Sequence, residues 1–103
     1  MIQVVHCKKV KNHEYIGRGT PLGNPFVWDK TTPKGSTLPK YRVWLRQRIV
    51  ERDAAVIAEI NRLYKLSCMG DLNLGCWCAP TPCHGDIIKE VLDNMHKRAK
   101  QKG

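Results

Sequence analysis

The sequence predicts an α/β fold: a small single-layer sheet of two to four strands with three helices, a Rossmann-like fragment. Two short apolar runs, residues 2–7 and 72–78, have the length and composition of strands. Apolar residues recur at helical spacing in three further stretches between residues 39 and 95. The order is strand, loop, helix, helix, strand, helix, with one more strand expected near residues 26–28. A chain of 103 residues supports one modest core, so residues 1–103 are expected to form a single domain.

Charge and apolar patterning limit the classes of function. Lys and Arg number 18 against 9 Asp and Glu, and the net charge of +9 favours a polyanion or an anionic small molecule as partner. No apolar run approaches the roughly eighteen residues needed to span a bilayer, and the N-terminal MIQVVHCKK lacks the layout of a signal peptide. We therefore expect a cytoplasmic protein with no membrane partner. Five cysteines, an odd number in a reducing compartment, argue against a disulfide framework and leave metal ligation, catalysis or burial as their role.

The first predicted strand is Ile2 to Cys7, IQVVHC. Its unbroken apolar character fits a strand that is buried on both faces if it lies centrally in a mixed or parallel sheet. His6 and Cys7 lie at its C-terminal end, where ligands bind in open α/β sheets. These two residues either join a site there or simply end a strand that faces a loop.

A shaped loop is predicted for Tyr15 to Phe26, YIGRGTPLGNPF, which holds three glycines and two prolines in twelve residues. Arg18 stands between two glycines and is free to pair with an anion. Asn24, which precedes a proline, is held extended with its amide available. The alternative is a tight structural turn with a solvated arginine. The loop lacks the GKS or GKT ending of a Walker loop and fits the dinucleotide fingerprint poorly.

Two helices are predicted next. Pro39 is allowed in a first turn, and Asp53 can cap the second helix, so the chain is expected to continue or kink near Arg52 and Asp53. The arginine-rich face of the first helix either contacts phosphates or is only solvated. Cys68 is expected in the connection after the second helix and not as a ligand.

The segment Leu72 to Glu90, LNLGCWCAPTPCHGDIIKE, concentrates the reactive side chains. Alternation places Leu72, Leu74, Cys76 and Cys78 on one face of a strand. Prolines then end the strand, and Asp86 is the predicted N-cap of the last helix. This places Cys83 and His84 at the helix N-terminus, where unpaired N–H groups and the helix dipole favour thiolates and phosphates.

Three chemistries remain open at this segment. The first is anion binding. The second is zinc, with Cys76, Cys78, Cys83 and His84 as candidate ligands, although their spacing departs from paired C-x-x-C motifs. The third is nucleophilic catalysis by Cys83 beside His84, although no C-x5-R loop of the phosphatase type is present.

The two motifs YIGRGTPLGNPF and LGCWCAPTPCHGDII, separated by a helical region, resemble an uncharacterised domain family found in bacteria and their phages. The C-H-G-D sequence is also similar to a second uncharacterised bacterial family with a C-H-R sequence, where this chain has Gly85 in place of the Arg. Neither resemblance implies a known activity, and a phage origin would also fit an anti-host protein. The first resemblance implies that twelve residues form one site: Tyr15, Gly17, Arg18, Gly23, Asn24, Pro25, Cys76, Cys78, Cys83, His84, Gly85 and Asp86.

We interpret these observations together as a small basic domain that binds an anionic ligand. This ligand would be either a nucleotide or a nucleic-acid phosphate. The ligand-binding residues would be Tyr15, Gly17, Arg18, Gly23, Asn24 and Asp86, with the N–H groups of the last helix around the phosphate. One alternative is a structural zinc protein that binds a host protein. The other is a cysteine-dependent enzyme acting on nucleotide-like substrates, with Cys83 and His84 as the catalytic pair.

Overall fold

Within the residues that the structure describes, the sheet contains three strands, and the last of them in the sequence lies in the middle. A computed structural model of the chain describes residues 1–26, 37–77 and 83–102. Strands β1 (Ile2–His6) and β2 (Glu14–Tyr15) flank β3 (Leu72–Cys76), and both pair with it in parallel. The helices are α1 (Leu38–Val50), α2 (Ala54–Met69) and α3 (His84–Lys102). The predicted α/β class, with a small sheet and three helices, is confirmed.

The register brings the C-terminal ends of the strands to one edge of the sheet. Ile2 pairs with Leu72 and His6 with Cys76, while Tyr15 pairs with Gly75. We call this edge, where the three strands end, the carboxyl edge. In the described part of the chain β1 is not central, because β3 takes the middle, and the condition for a first strand buried on both faces is not met: the side chain of Gln3 is exposed.

Two further differences concern short segments. β2 has only two residues, Glu14 and Tyr15. The sequence instead predicts a loop from Tyr15 onward, because a strand of two residues cannot show an alternating pattern. The strand expected near residues 26–28 is not seen at Phe26, and residues 27–28 lie outside the described residues.

The helices begin where capping residues allow. Pro39 occupies the first turn of α1, and the Asp53 carboxylate accepts a hydrogen bond from the Val56 N–H at 3.1 Å at the start of α2. Between these helices Arg52 has a positive φ of 56°, which breaks the helical path, so of the two alternatives the chain kinks here and does not continue as one helix. α2 continues to Met69, so Cys68 lies inside the helix and not in a connection, and its side chain is exposed.

The last helix begins three residues earlier than predicted. The Asp86 carboxylate is not at the N-cap but in the first turn, where it accepts a hydrogen bond from the Cys83 N–H at 3.0 Å. This contact is one half of a capping box, in which the side chain of the third helical residue accepts a hydrogen bond from the N–H of the residue before the helix.

The two faces of β3 have different neighbours. Leu72, Leu74 and Cys76 are buried in the core with apolar residues of all three helices, as the alternation predicted. The opposite face is crossed by the connection between β1 and β2, where the Asn73 side chain donates to the Asn12 carbonyl at 3.0 Å. None of the described helices is both long and apolar enough to cross a membrane.

Candidate functional site

The two motifs singled out in the sequence lie against each other. We call residues 15–26 the glycine-rich loop and residues 83–86 the Cys-His segment. The Ile16 N–H donates to the Gly75 carbonyl at 3.0 Å, and the Ile16 carbonyl lies 2.7 Å from His84 Nε2. A Cβ at Gly85 would stand 2.9 Å from side-chain carbons of Ile16 and Val4, so only glycine allows this close packing. Segments about seventy residues apart therefore form one unit at the carboxyl edge.

Tyr41 holds the glycine-rich loop from the side of α1. Its hydroxyl donates to the Leu22 carbonyl at 2.7 Å, and its ring meets the His84 ring edge-on with centroids 5.3 Å apart. Tyr41 and Leu22 are both fully buried. Burial raises the pKa of Tyr41, with a further contribution from Cys83, so the phenol remains a donor.

The backbone of the glycine-rich loop folds back on itself. The Thr20 hydroxyl and N–H both donate to the Gly17 carbonyl, and the Gly23 N–H donates to the Thr20 carbonyl at 3.0 Å. A Cβ at Gly23 would lie 2.6 Å from the Gly17 oxygen, and Gly19 has a φ of 90°. These glycines are required by the shape of the loop, whatever the loop binds.

Arg18 lies at the rim of a cleft formed by this folded loop. The cleft has a volume of about 280 Å³ and is lined by six residues: Arg18, Gly19, Thr20, Gly23, Asn24 and Pro25. The Arg18 side chain is exposed, and within residues 1–26, 37–77 and 83–102 it makes no ion pair. Its guanidinium is available to an anion that enters the cleft.

The Asn24 amide is used within the chain. Its oxygen accepts from the Phe26 N–H at 2.9 Å, and its nitrogen donates to the Thr37 hydroxyl at 3.1 Å. This arrangement closes a turn and ties the loop to the start of α1. The sequence predicted that the Asn24 amide is available to a ligand, and the structure shows the amide in hydrogen bonds within the chain.

The N-terminus of α3 is also satisfied internally. The Cys83 N–H donates to Asp86, the Gly85 N–H donates to the Cys83 sulfur at 3.3 Å, and the Asp86 N–H donates to the Cys83 carbonyl at 3.0 Å. The exposed carboxylate of Asp86 adds negative charge at this position. The N–H groups predicted to surround a phosphate are therefore largely occupied, whereas the exposed Arg18 side chain makes no ion pair among the described residues.

Two of the predicted metal ligands converge. The sulfur atoms of Cys76 and Cys83 lie 2.9 Å apart, and both side chains are buried. Cys78 lies outside the described residues, and Nε2 of His84 is directed to the Ile16 carbonyl. Among the described residues no group of three or more Cys, His, Asp or Glu side chains could hold a metal ion, whereas structural zinc takes four ligands.

The environment of Cys83 is the opposite of one that activates a cysteine as a nucleophile. The hydrogen bond with Cys76 and burial both raise the pKa of the Cys83 thiol, and these effects outweigh the lowering by the Gly85 N–H. A reactive cysteine needs a lowered pKa and access to solvent. The contacts of Cys83 are those of a packed core residue.

His84 carries a proton on Nε2 and donates it to the Ile16 carbonyl, because a carbonyl can only accept. Burial lowers the pKa of His84, although the Ile16 carbonyl and Asp86 act in the opposite direction. The unfolded chain, with a His pKa near 6.5, therefore binds the titrating proton more tightly than the folded state does. The stabilising contribution is thus complete above pH 6.5 and is lost as the pH falls below that value.

We therefore expect the free energy of unfolding to decrease as the pH is lowered from about 7.5 to about 5.5. His84→Gln, which keeps a donor for the Ile16 carbonyl but does not titrate, should flatten this dependence. Urea denaturation at several pH values, followed by circular dichroism, measures both slopes. Equal slopes in the two proteins would show that other groups cause the acid sensitivity.

Sequence reasoning missed the role of Trp77. This side chain is 54% exposed, and its Nε1 donates to the Tyr15 hydroxyl at 3.2 Å. Lys8 lies over the same ring, with Nζ 5.1 Å from the centroid. The available signal was the alternation that places Trp77 on the face opposite Cys76, away from the helices.

Comparisons with known proteins find a family of unknown function and a phage relative. The chain is 29% identical over 97 residues to a protein of Enterobacteria phage T4 described as "Uncharacterized 12.4 kDa protein in nrdA-td intergenic region", an alignment that covers 94% of this chain and 82% of the phage protein. No solved structure shows a significant match. A family model matches residues 2–94, nearly the whole chain. The chain therefore belongs to the family described as "Domain of unknown function (DUF4326)".

Proposed function

We propose that this domain binds the phosphate of a nucleotide or nucleic acid in the cleft of the glycine-rich loop. The observation that carries the proposal is Arg18, an exposed guanidinium at the rim of a cleft of about 280 Å³. The cleft lies in the loop that follows β2, beyond the carboxyl edge of the parallel sheet. In open α/β sheets ligands bind in this position.

Charge supports an anionic ligand. The chain has a net charge of +9, and Lys8 and Lys9 are exposed in the turn that follows β1 at the same edge. The backbone of this turn is fixed, because the Cys7 N–H donates to the Cys76 carbonyl at 2.9 Å and the Lys9 N–H donates to the His6 carbonyl at 3.0 Å. Lysines at one edge and an arginine in the adjacent loop favour association with polyanions.

The proposal differs from the sequence-based one in its phosphate-binding group. The N-terminus of α3 supports the loop through His84 and Gly85, and Arg18 supplies the positive charge. Tyr15, Gly17 and Gly23 give the loop its shape. The Cys76–Cys83 pair lies buried beneath the same edge, where it packs with the core.

Arg18→Ala is expected to weaken binding of a fluorescein-labelled thymidylate oligonucleotide of about 12 residues by roughly tenfold at about 50 mM salt. The slope of log affinity against log salt should also decrease, by about 0.7 for one lost contact to a single strand. Fluorescence anisotropy titrations at several salt concentrations measure both quantities.

Arg98→Ala is the matched control for this experiment. It removes the same charge from an exposed position about four turns along α3 from the Cys-His segment. An equal loss of affinity in both variants would mean that only diffuse charge attracts the oligonucleotide. If the unmodified protein binds neither the oligonucleotide nor inorganic phosphate at low salt, the proposed function is wrong.

A further inference from the structure

Trp77 is an exposed aromatic side chain in a fixed position. It follows directly after β3 at the carboxyl edge and is 54% exposed, although tryptophan is usually well buried. Its indole N–H is bonded to the Tyr15 hydroxyl, and the His6 ring contacts it edge-on with centroids 5.9 Å apart. These contacts hold the ring in place while leaving much of it open to solvent.

The surroundings of Trp77 are both aromatic and basic. Tyr15 is 36% exposed, so two aromatic side chains share this edge. The ammonium group of Lys8 lies 5.1 Å from the centre of the Trp77 ring and is carried by an exposed, flexible side chain. Aromatic faces next to lysines and arginines are the combination with which proteins bind single-stranded nucleic acids, because bases stack on the rings and phosphates pair with the cations.

Trp77 is connected to the Arg18 cleft through Tyr15. A side chain at Gly17 would collide with the Tyr15 hydroxyl, so the phenol lies directly against the residue that precedes Arg18. The same hydroxyl accepts the hydrogen bond from Trp77. Lys8, Trp77, Tyr15 and Arg18 thus follow one another along the surface, with a cation at each end.

We propose that this surface binds single-stranded nucleic acid, with one base stacked on Trp77 and the flanking phosphates paired with Lys8 and Arg18. The inference rests on the proposed function, since it uses the same arginine. Mononucleotide sites are concave and enclose most of their ligand. The Trp77 ring instead lies on an open edge between separated cations, which suits a chain that continues beyond one nucleotide.

The experiment compares two labelled oligonucleotides of about 12 residues, thymidylate and an abasic chain with the same phosphates, by fluorescence anisotropy. The unmodified protein should bind thymidylate more tightly. Trp77→Ala should weaken thymidylate binding by about 5- to 150-fold, the range measured for loss of one stacked base, and leave binding of the abasic chain unchanged. Trp77→Phe, which retains an aromatic ring, should recover most of the affinity.

Met69→Ala is the control for removing an exposed apolar side chain. Met69 is 83% exposed and precedes β3, at the opposite edge of the sheet, so this variant should bind as the unmodified protein does. Equal affinity for thymidylate and the abasic chain, or for thymidylate and a duplex of the same length, would overturn the stacking inference while leaving phosphate binding intact. Absence of binding to every one of these probes would overturn both.

Discussion

Replacing Tyr41 by alanine is expected to lower the free energy of unfolding by about 3–5 kcal/mol, the range for removing a large buried aromatic side chain. Tyr41 is fully buried, and its ring contacts Trp44 and His84 at centroid distances of 5.6 and 5.3 Å. The substitution leaves a cavity between α1 and the start of α3. It also leaves the buried Leu22 carbonyl without its donor. Urea denaturation at pH 7.5 measures the loss.

Tyr41→Phe separates the hydroxyl from the ring. It keeps the packing but removes the hydrogen bond to the Leu22 carbonyl, so the expected loss is about 1–3 kcal/mol. Because that bond holds the glycine-rich loop, amide hydrogen exchange should increase in residues 17–23 more than in α2. A loss as large as that of Tyr41→Ala, or exchange unchanged in the loop, would contradict the role assigned to the hydroxyl.

Gly75→Ala is expected to destabilise the protein by about 1–3 kcal/mol, as overpacking does. A Cβ at this position collides with the His13 ring, which lies across the face of β3. His13 is itself held by a contact of 2.6 Å between Nδ1 and the Val10 carbonyl. The connection between β1 and β2 must therefore move away from the sheet. Thermal or urea denaturation measures the effect.

A double-mutant cycle tests the cause. Adding His13→Ala removes the obstructing ring, so the double variant should be less destabilised than the sum of the two single variants. Gly70→Ala is the control, because a Cβ there meets nothing within 4 Å and the backbone φ of 165° is extended. Additive effects of the first two substitutions would show that the collision does not cause the loss.

The elements with clear periodicity could be predicted from the sequence. The alternation over residues 72–76 and the helical spacing in α1, α2 and α3 each correspond to a buried face. β2 could not be predicted, because a segment of two residues is too short to show the alternation of apolar and polar residues that indicates a strand. The central position of β3 could not be predicted either, since strand order depends on which edge each connection crosses.

The candidate site shows the same division. The resemblance to a known family implies that the glycine-rich loop and the Cys-His segment form one site, and the two segments are in contact. The sequence indicated a helix-capping role for Asp86, whose carboxylate accepts from the Cys83 N–H, but it could not show that the Asn24 amide is bonded within the chain. A polar side chain offers the same donors and acceptors to a ligand and to a neighbour, and only the tertiary arrangement decides between them.

The strand order has a consequence for synthesis on the ribosome. In the part of the chain that the structure describes, β1 and β2 each pair only with β3, and Ile2 pairs with a residue seventy positions later. Closing so long a stretch of chain slows folding relative to local pairing. β1 and β2 therefore leave the exit tunnel before β3, and they can pair with it only after α1, α2 and β3 have followed.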